Sequence, residues 1–131
     1  MIGYATLGTN NIEKAQGFYD ALLGQIGAKR IMEMPEHGGF TMYGVSFDTP
    51  AIAITQPFDG GQASVGNGNM LALVMKERAQ VDVFHAKALE LGGSCEGAPG
   101  LRGDEGQQAF YGAYVRDLDG NKLCAFRVGP A

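Results

Sequence analysis

The sequence predicts an α+β protein of two tandem β-α-β-β-β modules, their strands forming a curved mixed sheet around a cavity with the helices outside. Three observations predict it. Alternating apolar runs enclose two stretches of helical periodicity. A shift of 66 positions superposes Leu7 on Leu73, Phe18 on Phe84, Leu23 on Leu89 and Gly27 on Gly93. The 21 glycines divide the 131 residues into many short elements. Neither module can bury both faces of a sheet alone, and the repeat is too large for a solenoid unit. Residues 1–131 therefore read as one domain: module 1 at about 1–57, a linker at 58–68, and module 2 at about 69–128.

Residues 2–8 alternate and then meet Asn10 and Asn11, both good helix N-caps, with Glu13 placed to complete a capping box with Asn10. Ile12, Ala15, Phe18, Tyr19, Leu22 and Ile26 recur at helical spacing until Gly24 and Gly27 end the helix. Strands follow near 28–33, 39–47 and 51–56. The Gly- and Asn-rich segment QPFDGGQASVGNGN (56–69) reads as the linker. The pattern then restarts with a strand at 70–75 and a helix at 79–91. Val81, Phe84, Ala88 and Leu91 form one face of that helix, and Gly92-Gly93 stops it. Its N-terminus, preceded by Lys76-Glu77, is poorly capped. Strands near 94–97, 109–116 and 121–128 complete the second module. The last two are joined by the tight turn Asp117-Leu-Asp-Gly-Asn121, where Gly120 or Asn121 supplies a left-handed residue.

Composition excludes several classes of partner. With 45% hydrophobic and 18% charged residues the chain is an ordinary globular one. A net charge of −4 without any Lys/Arg cluster argues against nucleic acid and anionic membrane. The N-terminal MIGYATLGTNN has neither a basic region nor a long apolar run, so neither a signal peptide nor a membrane span is expected. Cys95 and Cys124 then read as reduced thiols of a cytoplasmic protein.

The segments YATLGTNNIEKAQGFYDALL, NGNMLALV, VDVFHAKALELGG and YGAYVRDLDGNKLCAF, in that order, resemble the vicinal-oxygen-chelate superfamily. That superfamily holds glyoxalase I, bleomycin-resistance proteins and extradiol dioxygenases. The chain looks closest to its small bacterial glyoxalase-like members without an assigned reaction. The resemblance implies a cavity whose metal, in the metal-dependent members, is held by two His and one Glu on the first and last strands of the modules. Here those positions carry Tyr4, Met70 and Cys124. Tyr4 and Met70 are themselves 66 residues apart, in step with the repeat. A phenol and a thioether are poor ligands for Mg, Mn, Fe or Ni, and only a Cys124 thiolate would bind Zn or Cu(I) well. No metal and no other cofactor is therefore expected.

Strand parity extends the cavity. Tyr4 brings Thr6, Met70 brings Ala72, and Cys124 brings Lys122 and Phe126. Tyr114 lies ten residues before Cys124, where the resemblance places a catalytic tyrosine in dioxygenases. Arg102 sits in the Gly-rich segment 98–108, placed to swing over the cavity mouth. The expected ligand-binding set is thus Tyr4, Thr6, Met70, Ala72, Arg102, Tyr114, Cys124 and Phe126, and no catalytic residue is identified. His85 reads as a solvent or edge residue, and Glu33, Glu36 and His37 as an exposed polar turn. The leading expectation is a homodimer binding a small, partly apolar molecule. The alternatives are a metal-dependent glyoxalase-like lyase or dioxygenase, and an inactive dimerisation fold.

Overall fold

The structure, a computed structural model, describes residues 1–131. The chain divides into two compact units, Met1–Gly66 and Asn67–Ala131. The first holds β1 (Tyr4–Gly8), α1 (Ile12–Gly24), β2 (Lys29–Met34), β3 (Phe40–Gly44) and β4 (Ala51–Thr55). The second holds β5 (Leu71–Val74), α2 (Arg78–Glu90), β6 (Ser94–Leu101), β7 (Phe110–Arg116) and β8 (Lys122–Val128). Each has its own four-stranded mixed sheet, ordered β1-β4-β3-β2 and β5-β8-β7-β6. The first strand of each pairs parallel with the last, and the remaining pairs are antiparallel. No helix is long and apolar enough to cross a membrane.

The 66-residue shift carries α1 exactly onto α2, each 13 residues long. The two helices are nonetheless held differently. Asn11, extended at φ −149°, accepts a hydrogen bond from the Lys14 amide and caps α1. The box expected between Asn10 and Glu13 does not form, because the helix starts one residue later than that pairing requires. Asn10 instead reaches across to Ala63, accepting from its amide at 2.7 Å and donating to its carbonyl at 3.5 Å. Glu77 makes no side-chain cap on α2, as its type suggests. Leu23 is buried, whereas its repeat mate Leu89 is 39% exposed, so that correspondence is one of sequence and not of core packing.

One face of each sheet lies against its helix. Ala15, Phe18, Tyr19, Leu22 and Leu23 of α1 are buried, as are Val81, Phe84, His85 and Ala88 of α2. Tyr43 donates to Asp20 on α1 at 2.8 Å, and Tyr111 donates to Asp82 on α2 at 2.7 Å. By alternation, the neighbours of these tyrosines point to the opposite, open face. In the second module that face carries Lys122, Cys124 and Phe126 on β8 and Phe110, Gly112 and Tyr114 on β7. The β7–β8 turn is built by buried Asp117, which accepts from the amides of Asp119 and Asn121 and from the Asn121 side chain. Gly120 at φ +90° supplies the left-handed residue.

Candidate functional site

The open face of the first module leads into a cavity of about 760 Å³. That volume suits a small organic molecule. Tyr4 and Thr6 line it from β1, Phe40 from β3 and Thr55 from β4. The 35–39 turn between β2 and β3 adds Glu36, His37 and Gly38, and the segment after β4 adds Pro57 and Phe58. Tyr4 and Phe40 meet edge to face, centroids 6.0 Å apart and planes at 86°. The turn is fastened to the end of β4 by the Gln56 amide, which donates to the Gly38 carbonyl at 3.0 Å. Gly38 itself has φ +65°, and a Cβ there would come 3.0 Å from Thr55 Oγ1. Only glycine fits this closely. On the same open face, Met42, Ala51 and Ala53 form an apolar cluster joined by Ile31 and Phe40.

In the second module the open face centres on Tyr114. It stands directly across the ladder from Cys124. The Arg102 guanidinium lies 5.4 Å from the Tyr114 ring centroid, as does Lys122 Nζ. Arg102 does not hang free, since it donates to the carbonyls of Gly100 at 2.9 Å and Ala98 at 2.7 Å. β6 runs to Leu101, well beyond the short strand the sequence suggested, and holds Arg102 close against the sheet. The Tyr114 ring packs on Gly97, where a Cβ would lie 2.8 Å from Tyr114 Cδ2. Phe126 stacks on Phe110 at 5.3 Å with planes 6° apart. Ala72 is the register partner of Cys124, and both Ala72 and Met70 are exposed.

Cys124 is fully buried. Burial pushes its thiol pKa up, partly offset by the neighbouring Tyr114 and the charge of Arg102. Burial likewise raises the Tyr114 phenol. This donor chemistry bears on the metal of the related enzymes. A thiol kept protonated, a thioether and a phenol do not fit a hard divalent ion. Nowhere are three or more His, Cys, Asp or Glu side chains gathered as such an ion requires.

One residue departs from its expected place, and a turn gains a neighbour that the sequence did not show. His85 is only 8% exposed, not at the solvent edge, and its Nε2 lies 3.2 Å from Cys95 Sγ. It follows Phe84 on the helix face turned toward the edge strand β6, and burial lowers its pKa. Glu36 and His37 stay exposed but line the cavity with Tyr4 and Thr6, while Glu33 turns away to pair with Arg30 at 3.0 Å. Sequence periodicity carries no signal for this, because a turn reaches the mouth of a strand distant in sequence only through sheet pairing.

Residues 1–125 match the sequence model described as the Glyoxalase/Bleomycin resistance protein/Dioxygenase superfamily. Among solved structures, a glyoxalase/bleomycin resistance protein from Albidiferax ferrireducens T118 is similar at 34% identity and a TM-score of 0.82. The match covers 97% of this chain and 98% of that one. An antibiotic binding protein from Streptomyces sp. CB03234 shares the fold at 19% identity and a TM-score of 0.67, over 98% and 96% of the two chains. A lactoylglutathione lyase from Agrobacterium tumefaciens does so at 16% and 0.66, over 97% and 92%. No curated protein matches the sequence.

Proposed function

Because the chain belongs to the glyoxalase/bleomycin resistance protein/dioxygenase superfamily, we propose that it uses this fold to bind a small, partly apolar molecule without metal chemistry. One observation carries the reading: the first module's cavity joins aromatic walls, Tyr4 and Phe40, to a few hydrogen-bonding groups, Thr6, Thr55 and His37. Sites of that composition hold ligands through buried apolar area and orient them with the polar atoms. The poor metal-donor quality of Tyr4, Met70 and Cys124 favours binding over the lyase and dioxygenase reactions. Fold membership itself is neutral, since the same fold hosts an antibiotic binding protein and a lyase. A homodimer is part of the proposal.

A ligand-observed NMR screen of small aromatic molecules tests it, followed by titration of any hit against two variants. Tyr4→Ala removes an aromatic wall and should weaken binding by about tenfold, or about 1.4 kcal/mol. Cys124→Ser should change affinity less than threefold. A turnover activity that Cys124→Ser abolishes and Tyr4→Ala spares would sink the binding reading.

A further inference from the structure

The cavity's electrostatics select among ligands. Glu36 is its one carboxylate, and no Lys or Arg lines it. Some other carboxylates have a cationic partner: Asp20 and Glu33 share Arg30, Glu96 pairs with Arg116 and Glu105 with Arg78. The Glu36 side chain has neither an ion pair nor a hydrogen bond, and the pinned 35–39 turn holds it at the cavity wall. Tyr4, Phe40 and the fully exposed Phe58 line the same cavity, with Tyr4 and Phe40 set nearly perpendicular at 86°. Perpendicular aromatic walls present ring faces and edges around one space, and ring faces attract cations. A carboxylate without a counter-ion at the cavity wall adds its own field, while an anionic ligand would face a like charge.

We propose that the first module's cavity takes an organic cation, an ammonium or other nitrogen base attached to an apolar or aromatic body, with Glu36 as its counter-ion and Tyr4, Phe40 and Phe58 as its cage. This rests on the reading of the cavity as a small-molecule site and names the class of molecule it selects. The carboxylate sets the charge preference, and the rings set the preference for a bulky, weakly hydrated cation over a simple metal or ammonium ion. Binding is a reversible exchange of solvent for ligand, with no bond made or broken.

The probes are benzyltrimethylammonium and its neutral carbon analogue neopentylbenzene, titrated into the full-length protein. The amide shifts of Thr6, Gly38 and Gly60 report occupancy of the cavity. The cation should bind at least tenfold more tightly than the neutral probe. Glu36→Gln should shrink that ratio to under threefold by weakening the cation, and Phe58→Ala should weaken the cation several-fold. If the neutral probe binds as tightly as the cation, or Glu36→Gln preserves the ratio, the charge assignment fails while the cavity remains a binding site. If neither probe moves those three amides, the small-molecule reading fails with it.

Discussion

Adding one methyl group at Gly97 tests whether the Tyr114 ring is as fixed as its surroundings imply. In Gly97→Ala the new Cβ would lie 2.8 Å from Tyr114 Cδ2, closer than real carbons approach, and 3.1 Å from Arg102 Nη2. The guanidinium end of Arg102 is flexible and can yield. Arg102 and Lys122 lie beside the ring and its strand is paired on both sides, so it moves at a cost. Overpacking of this kind costs about 1–3 kcal/mol. Replacing a strand glycine also returns about 0.5–1 kcal/mol by restricting the unfolded chain. The net in the native background is then a loss of about 1 kcal/mol. In a Tyr114→Ala background the obstacle is gone and the same substitution should stabilise by about 0.5 kcal/mol. Urea unfolding of the four proteins, followed by far-UV circular dichroism, gives the coupling energy, expected at about 1–2 kcal/mol. Equal effects of Gly97→Ala in both backgrounds would show that the ring does not rest on Gly97.

Three further outcomes follow from the same structure. Tyr43→Phe removes a buried hydroxyl that donates to the Asp20 carboxylate and should cost about 1.5–3 kcal/mol in urea unfolding, while a loss under 0.5 would discount the bond. The Arg30 guanidinium holds the Asp20 carboxyl below its usual value, so its contribution is complete above about pH 4 and is lost as pH falls through the lowered native value. Asp20→Asn should accordingly flatten part of the stability decline below pH 4, and an unchanged acid limb would contradict this. Finally, exposed Cys95 should be alkylated by iodoacetamide at least a hundredfold faster than buried Cys124, as read by peptide mass spectrometry; comparable rates would mean that the β8 core opens readily.

What the sequence made legible was whatever repeats or alternates. Phe18 and Phe84 mark helices that coincide under one shift, and the period-two runs of β7 and β8 put Tyr114 and Cys124 on one face. The Asp117 turn announced itself through residue types that organise backbone locally. What was hidden depends on irregular or long-range geometry. Ala98-Pro-Gly100 reads as a loop, yet it continues β6, which has two breaks in register. His85 reads as an edge residue because helical phase alone cannot show that β6 covers that side. The Glu36–His37 turn reads as solvated, and it is; only the pairing of β3 with β4 brings it beside Thr55.

The two modules also explain why a cysteine occupies the middle of β8. Register places Ala53 beside Thr6 and opposite Met42, and places Cys124 beside Ala72 and opposite Tyr114. Ala53 and Cys124 are therefore equivalent, and both are fully buried. A small side chain is what this position accommodates in either module, because a larger residue crosses the ladder above it. Where that residue is Met42 a methyl suffices, with no polar atom to satisfy. Where it is Tyr114, a thiol is still small enough for the position and sets a polarizable sulfur beside the aromatic residue across the ladder. Cys124 thus stands beside Tyr114 as a small, soft, buried side chain. Its burial and protonated thiol set it apart from a reactive nucleophile, which needs an exposed thiolate beside a base.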